Sequence, residues 1–273
     1  MAIITISRGT KSWGQALAEC LAEHLHYPIV GREENIKEAA SKLGVSEEAV
    51  GHQMQDTPRL WGRKTLMRKT YVAAVQACLA ERVIGGNLVY HGLAGQVLLR
   101  GLPAVLRLRL IAPFEARVRA MMAGDQIDQA SAEQFIREAD DARARWVKMM
   151  YGEDIMNPAL YDMIINLEAM SVLTVCALVS AAVEQPAYVV TEKVMGRLRD
   201  FNLACQVRVA LLRGDETRAL NLEVDAQDGV VQVSGSVPLV SSEWMEDQIT
   251  RVACAVPGVG GIRLKVQRYD PSP

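Results

Sequence analysis

Several classes of protein are excluded by what this chain lacks. Neither sign of charge dominates: 30 Lys and Arg stand against 32 Asp and Glu, a formal charge of −2 over 273 residues. A polyanion-binding protein is therefore not expected, and nucleic acid is not an expected partner. The five cysteines, Cys20, Cys78, Cys176, Cys205 and Cys254, form no CxxC or Cys/His pair and read as reduced core residues. His24, His26, His52 and His91 have no mutual ligand spacing, so no metal site is expected among them. Aromatic residues make up only 5%, and there is no internal repeat or low-complexity tract. The longest apolar stretch, Met170 to Val183, falls short of the ~20 residues that span a bilayer, which predicts a buried helix and no transmembrane segment. The start shows no basic-then-apolar export signal, so a cytoplasmic location is expected.

What is present is half apolar and patterned. The length favours two domains. Ile3 to Ile6 is a short apolar run suited to a central parallel strand. A loop from Ser7 to Gly14 follows. Ala16, Leu17, Cys20, Leu21 and Leu25 then recur at helical spacing, and Tyr27 to Val30 offers a second strand. Ser46 before Glu47 and Glu48 marks a helix start. Helical spacing over Tyr71 to Arg82, strands at Leu88 to Tyr90 and Val105 to Ile111, helices over Glu115 to Met122 and Ser131 to Met150, and a strand at Met163 to Ile165 complete an alternating series. Such alternation predicts a mainly parallel sheet covered on both faces.

After Glu184-Gln185-Pro186 the pattern changes. A helix over Thr191 to Leu212 precedes a period-two hairpin, Leu222 to Val237, turning at Asp228-Gly229. A helix to Ala255 and a strand of Ile262, Leu264 and Val266 follow. Three units are expected: an α/β domain over residues 1–185, a linker or helix over 186–199, and a small α+β domain over 200–273.

The strand-loop-helix opening is where a phosphate loop would sit, because glycines there let main-chain N–H groups face an anion at a helix N-terminus. The loop Ser7-Arg8-Gly9-Thr10-Lys11-Ser12-Trp13-Gly14-Gln15 departs from the GxxxxGK pattern, since Gln15 follows Gly14. Lys11 is a candidate replacement for the missing charge. Trp13 either stacks on a base or fills the site.

Ile6-Ser7-Arg8 with Gly14, Tyr27-Pro28, Ala39-Ala40 through Val45-Ser46-Glu47, Val89 and Gly92, Arg107 with Ala112-Pro113, Glu115 and Arg117, Asp141, Arg143 and Arg145, and Tyr161-Asp162 with Ile165-Asn166 occur in an order that resembles the cytidylate-kinase-like P-loop family over residues 1–185. The resemblance implies phosphoryl transfer from an ATP-like nucleoside triphosphate to a nucleoside monophosphate, with Mg. It assigns Lys11, Arg143 and Arg145 to catalysis, Arg8, Gly9, Thr10, Ser12, Trp13, Gly14 and Gln15 to the cofactor, and His91, Gly92, Arg117 and Asp162 to the substrate. Against this, Arg143, Arg145 and Lys148 also suit a solvated helix face, a reading the family match disfavours. The cluster Arg59, Arg63, Lys64, Arg68 and Lys69 is either an anion site or an exposed amphipathic face, and Asp162 is either a ribose contact or a strand-end cap. Leu93 and Gly31 replace residues usual in the family.

The Asp228-Gly229 hairpin ending Ser234-Gly235-Ser236-Val237, and the helix ending Val256-Pro257-Gly258-Val259, resemble a BON domain. That likeness implies a binding module for a small ligand, anionic lipid or protein. Arg263, Lys265 and Arg268 suit anionic headgroups or guard an edge strand. Two functions follow: a cytidylate-like kinase with a regulatory BON domain, or an inactive nucleotide-sensing or scaffolding protein.

Overall fold

The structure, a computed structural model, describes residues 1–53 and 63–270. The chain forms two compact units, one of Met1–Asn35 with Gly85–Thr191 and the other of Ile36–Gln53, Glu192 onward and the described part of Pro58–Ile84.

In the first unit the apolar run becomes β1 (Ile3–Arg8), with Ile3, Ile4 and Ile6 buried. A loop leads to α1 (Gly14–Leu25), β2 (Ile29–Gly31) and the start of α2 (Arg32–Leu43). The unit resumes with β3 (Leu88–His91) and continues to β4 (Val105–Ile111) and β5 (Met163–Asn166). All five strands are parallel in the order β2-β3-β1-β4-β5, with Ile3 level with both Leu88 and Val105. Strand order reverses beside β1, so the crevice beyond the carboxyl ends of β1 and β3 is where such a sheet places a ligand.

Leu17, Leu21, Val89, Leu106, Leu108, Val175 and Val179 belong to the core that covers this sheet. Val175 and Val179 lie on a helix over Val172–Val183 that buries one face and leaves Leu173 and Leu178 exposed, so the expected buried helix is buried on one side only. Among the described residues no single helix is long and apolar enough to cross a membrane. Of the cysteines, all free, Cys254 is exposed, contrary to the core reading, whereas Cys78, Cys176 and Cys205 are buried.

The second unit contains the rest of α2, a helix α3 (Glu47–Gln53) and a long helix α4 (Arg63–Val83). The Ala49 amide donates to Ser46 Oγ at the start of α3, as the capping signal predicts. Arg59 and His52 lie where placement or side chain is outside the described residues, as are the side chains of Arg63 and Lys64; Arg68 is buried and Lys69 exposed. Ala77 and Ala80 of α4 pack on Cys205 and Phe201 of a helix over Glu192–Arg213. That helix also covers a three-stranded sheet of Leu222–Gln227, Val230–Pro238 and Gly261–Tyr269, the first pair antiparallel and the second parallel. Asp228 and Gly229 both take positive φ, and Asp200 accepts from both their amides at 2.9 and 3.0 Å, pinning the hairpin turn.

Candidate functional site

A cavity of about 500 Å³ opens at the carboxyl ends of β1 and β3. Arg8 ends β1, His91 ends β3 and Arg32 begins α2, which brings two guanidinium groups and an imidazole to the lining. A helix α5 (Gly95–Leu98) follows β3, and the turn Gly92-Leu93-Ala94 before it forms another part of the lining. Gly92 is required by packing: a Cβ there would lie 2.2 Å from the Tyr90 ring. The helix α7 (Gln129–Tyr151) contributes Phe135, Glu138 and Arg143 to the lining.

The loop after β1 turns through left-handed conformations at Lys11 and Trp13, φ 56° and 53°. Its main contacts come from α7 and from α6 (Phe114–Asp125). Asp140 accepts the Thr10 amide at 2.9 Å, Thr10 Oγ1 at 2.8 Å and Arg143 at 3.0 Å, and it is paired with Arg117. Arg117 also donates to the Thr10 carbonyl at 2.8 Å, and Arg143 donates to the Arg8 carbonyl at 3.0 Å. Burial alone would raise the Asp140 carboxyl, but the Thr10 and Arg117 hydrogen bonds outweigh it and hold the group below the usual carboxylate range. Burial lowers Arg8 and Arg143; the Arg32 charge lowers both further, and Arg8 adds to the lowering of Arg143. His91 is likewise lowered, by burial first and then by Arg8, so its neutral imidazole is favoured.

The expected site residues therefore separate. Arg8, Thr10, His91, Gly92 and Arg143 line the cavity. Gly9, Ser12 and Arg117 are not in its lining but lie against one another, since a Cβ on Gly9 would meet Arg117 at 3.0 Å and Ser12 Oγ at 3.1 Å. Gly14 starts α1 against the Arg8 side chain. Lys11 points away and pairs with Asp125 at 2.9 Å. Trp13 is 37% exposed and is not part of the cavity wall. Gln15 bonds Glu19 on the outer face of α1. Arg145, two residues from Arg143 and so turned to another side of the helix, is exposed near Asp141. Asp162 precedes β5 and forms a two-point pair with Arg107 at 3.1 and 2.7 Å, with the Arg107 amide as a third donor. That pairing places it with the strand start rather than with the cavity.

Asp140, Arg32 and Glu33 were not among the expected site residues. Asp140 had one available signal: it precedes Arg143 by three residues, the spacing that puts two side chains on one helical face. Arg109 was also missed. It is buried on β4 and donates to the Ile155 carbonyl at 2.9 Å and to Tyr161 Oη at 3.2 Å, beneath the cavity-lining Ser7 and Ile155.

An open parallel sheet with a glycine-bounded loop leading into a helix, and arginines gathered at that end, define an α/β unit of the P-loop kinase type. Residues 3–169 match the cytidylate kinase-like family, and the chain belongs to that family. Cytidylate kinase from Methanopyrus kandleri (strain AV19) is 25% identical over 184 residues, covering 67% of this chain and 93% of that protein. The crystal structure of an uncharacterized protein from Eubacterium ventriosum matches 67% of this chain and 98% of its own length, with a TM-score of 0.52 and 16% identity. Shikimate kinase from Bacteroides thetaiotaomicron covers 67% of this chain and 99% of its own, at a TM-score of 0.42 and 12% identity.

The family implies a nucleotide and, with it, magnesium. Phosphate oxygens fit the residues present: Arg8 Nε, Ser12 Oγ and His91 Nδ1 are buried polar atoms without a partner, at or beside the cavity. A magnesium ion held by the loop does not fit. Gly9 and Gly14 keep the GxxxxG spacing, but the next two positions, which carry the Lys and the metal-binding hydroxyl in a P-loop, are Gln15 and Ala16.

Proposed function

We propose that the first unit binds a nucleotide through its phosphates and transfers a phosphoryl group to a nucleoside monophosphate, cytidylate-like in type. The observation that carries this reading is the convergence of Arg8, Arg32 and Arg143 on one cavity at the ligand edge of the sheet. Phosphoryl transfer depends on positioning and charge neutralisation rather than on a covalent partner. A bound nucleoside triphosphate supplies the group transferred. The chain's own part is to hold the acceptor phosphate between Arg8 and Arg143, to offer neutral His91 as a hydrogen-bonding group beside it, and to exclude water with buried Leu93 and Ile155. Arg145 and Lys11 enter this scheme only if the α7 face or the loop moves from the arrangement described.

A second reading, a nucleotide sensor without turnover, is favoured by one specific observation. Gln15 and Ala16 stand where a P-loop needs Lys and a hydroxyl, and Lys11 is engaged with Asp125. A coupled ADP-release assay with ATP, magnesium and a panel of monophosphates including CMP and dCMP separates the two. Turnover that falls sharply in Arg143→Ala supports transfer. Nucleotide binding without turnover for any acceptor leaves the sensor.

For the second unit we propose a BON-like binding module. The reading is supported by the order helix, hairpin, helix and strand, and by the Asp228-Gly229 turn. Vesicle co-sedimentation with and without anionic lipid tests whether its ligand is a membrane surface. Binding to both kinds of vesicle means a membrane surface recognised without its charge, and binding to neither leaves a small ligand or a protein as the candidate.

A further inference from the structure

The donor set around Asp140 is unusual for an intrahelical aspartate. One main-chain amide and one hydroxyl from Thr10, and one guanidinium each from Arg117 and Arg143, all point at a single carboxylate. A loop amide before a helix combined with two guanidinium groups is the donor chemistry that recognises a phosphoryl group. We propose that these donors form a phosphoryl-binding site which the Asp140 carboxylate fills, so that Asp140 is an internal counter-ion that an incoming phosphate must displace. The inference rests on the nucleotide-binding reading given above and goes beyond it, because it makes the loop self-occupied rather than open.

A second observation points the same way. Ser12 Oγ is 1% exposed and has no partner, and it lies 3.1 Å from the position a Cβ on Gly9 would take. Arg117 Nη2 lies 3.1 Å from that same position. The notch at Gly9 thus carries the Ser12 hydroxyl, which the two carboxylate oxygens of Asp140 do not bond and a third phosphoryl oxygen would, beside the Arg117 Nη2 that Asp140 already holds. Gly9 keeps the notch free, since any side chain there would meet both groups.

A carboxylate that merely tethered α7 to the loop would leave anion affinity unchanged or lower it when removed. A competing counter-ion does the reverse. The test is a titration of the full-length chain with inorganic phosphate, by calorimetry and by the Thr10 amide resonance, on the wild type, Asp140→Asn and the exposed neighbour Asp141→Asn. Asp140→Asn is expected to bind phosphate about tenfold tighter or more, as removal of a charged competitor from such a site requires, while Asp141→Asn matches the wild type. In the wild type, saturating phosphate is expected to move the Thr10 amide resonance, which keeps the test open should Asp140→Asn fail to fold. Unchanged or weaker phosphate binding by a folded Asp140→Asn overturns the inference, as does phosphate saturation without movement at Thr10. If the wild type turns over or binds nucleotide while Asp140→Asn shows no gain, this inference alone fails. If Asp140→Asn gains phosphate while the wild type binds no nucleotide, the functional reading fails and the displaced counter-ion stands.

Discussion

Gly14→Ala is a small change whose consequence is carried by a different residue. A Cβ at position 14 would lie 2.0 Å from Arg8 Cδ and 2.8 Å from Arg8 Nε. Cδ is in the middle of the side chain, so the clash is relieved only by moving the guanidinium beyond it. Arg8 Nε has no partner to hold it in place. Gly14 opens α1 and is not among the residues with positive φ, so its backbone accepts alanine, whose helix propensity is about 1 kcal/mol better. The substitution therefore leaves the fold intact and withdraws Arg8 from the cavity. A hydrogen bond to a charged group contributes about 1.5–3 kcal/mol, which corresponds to an affinity loss of about 10- to 150-fold. Calorimetric titration with CMP of the wild type, Gly14→Ala, Arg8→Met and the double variant measures it. Both single variants should lose affinity to a similar extent, and the double variant little more, because both remove the same contact. Wild-type affinity in Gly14→Ala, or losses that add in the double variant, would show that Gly14 does not act through Arg8.

Other consequences are tested more simply. Asp162→Ala should cost about 1 kcal/mol of stability, a value discounted for solvent screening, without weakening CMP binding. The Asp162 carboxyl would be raised by burial but is held low by its bonds from Arg107, so this stability is present above pH ~4 and lost as pH falls through the depressed folded value. Denaturant unfolding at neutral and acid pH checks both the size and the window. His91, lowered by burial and then by Arg8, should titrate below the ordinary ~6.5 of a free histidine in a proton-detected NMR titration, and bound phosphate should raise it. Because the unfolded chain takes up that proton more readily, His91 contributes a loss of stability as pH falls through that range. Burial pushes the Cys78 and Cys205 thiols up to about 12, so in the native chain a thiol reagent at pH ~8 should modify exposed Cys254 first and spare both until unfolding. Mass spectrometry of the labelled peptides gives the order. Gly235→Ala should destabilise the second unit by several-fold more than an ordinary surface change. Gly235 has φ 148°, and a Cβ there would lie 2.3 Å from the Asn221 carbonyl; heat-induced loss of far-ultraviolet circular dichroism reads the effect.

Much of the scaffold was legible because local pattern and tertiary role coincide. The run Ile3 to Ile6 is apolar on both faces and lies at the centre of the sheet, and Val105–Ile111 forms the strand its alternation predicts. The Asp228-Gly229 turn was legible because its backbone needs the φ values those residues tolerate. The site was legible only in part. Arg8, Thr10, His91 and Arg143 follow from a strand end, a loop and a helix face. Lys11 was expected as a replacement charge, but a left-handed backbone at that position sends its ammonium to Asp125, which is 114 positions away in sequence and invisible to local reasoning. Asp140 was passed over for its neighbour Asp141 because a composition of charges does not show which of two adjacent carboxylates faces the loop. Only the packing of α7 on residues 8–10 decides that.

A cavity lined by Arg8, Arg32 and Arg143 should recognise phosphate rather than a base or a sugar. Calorimetric titration of the full chain with CMP and, in parallel, with cytidine tests this most directly. The geometry requires CMP to bind about a hundredfold or more tighter than cytidine, since charge-assisted contacts to the phosphate carry the affinity. Equal affinities for the two, or no heat with CMP, would contradict the phosphate-binding role of Arg8, Arg32 and Arg143.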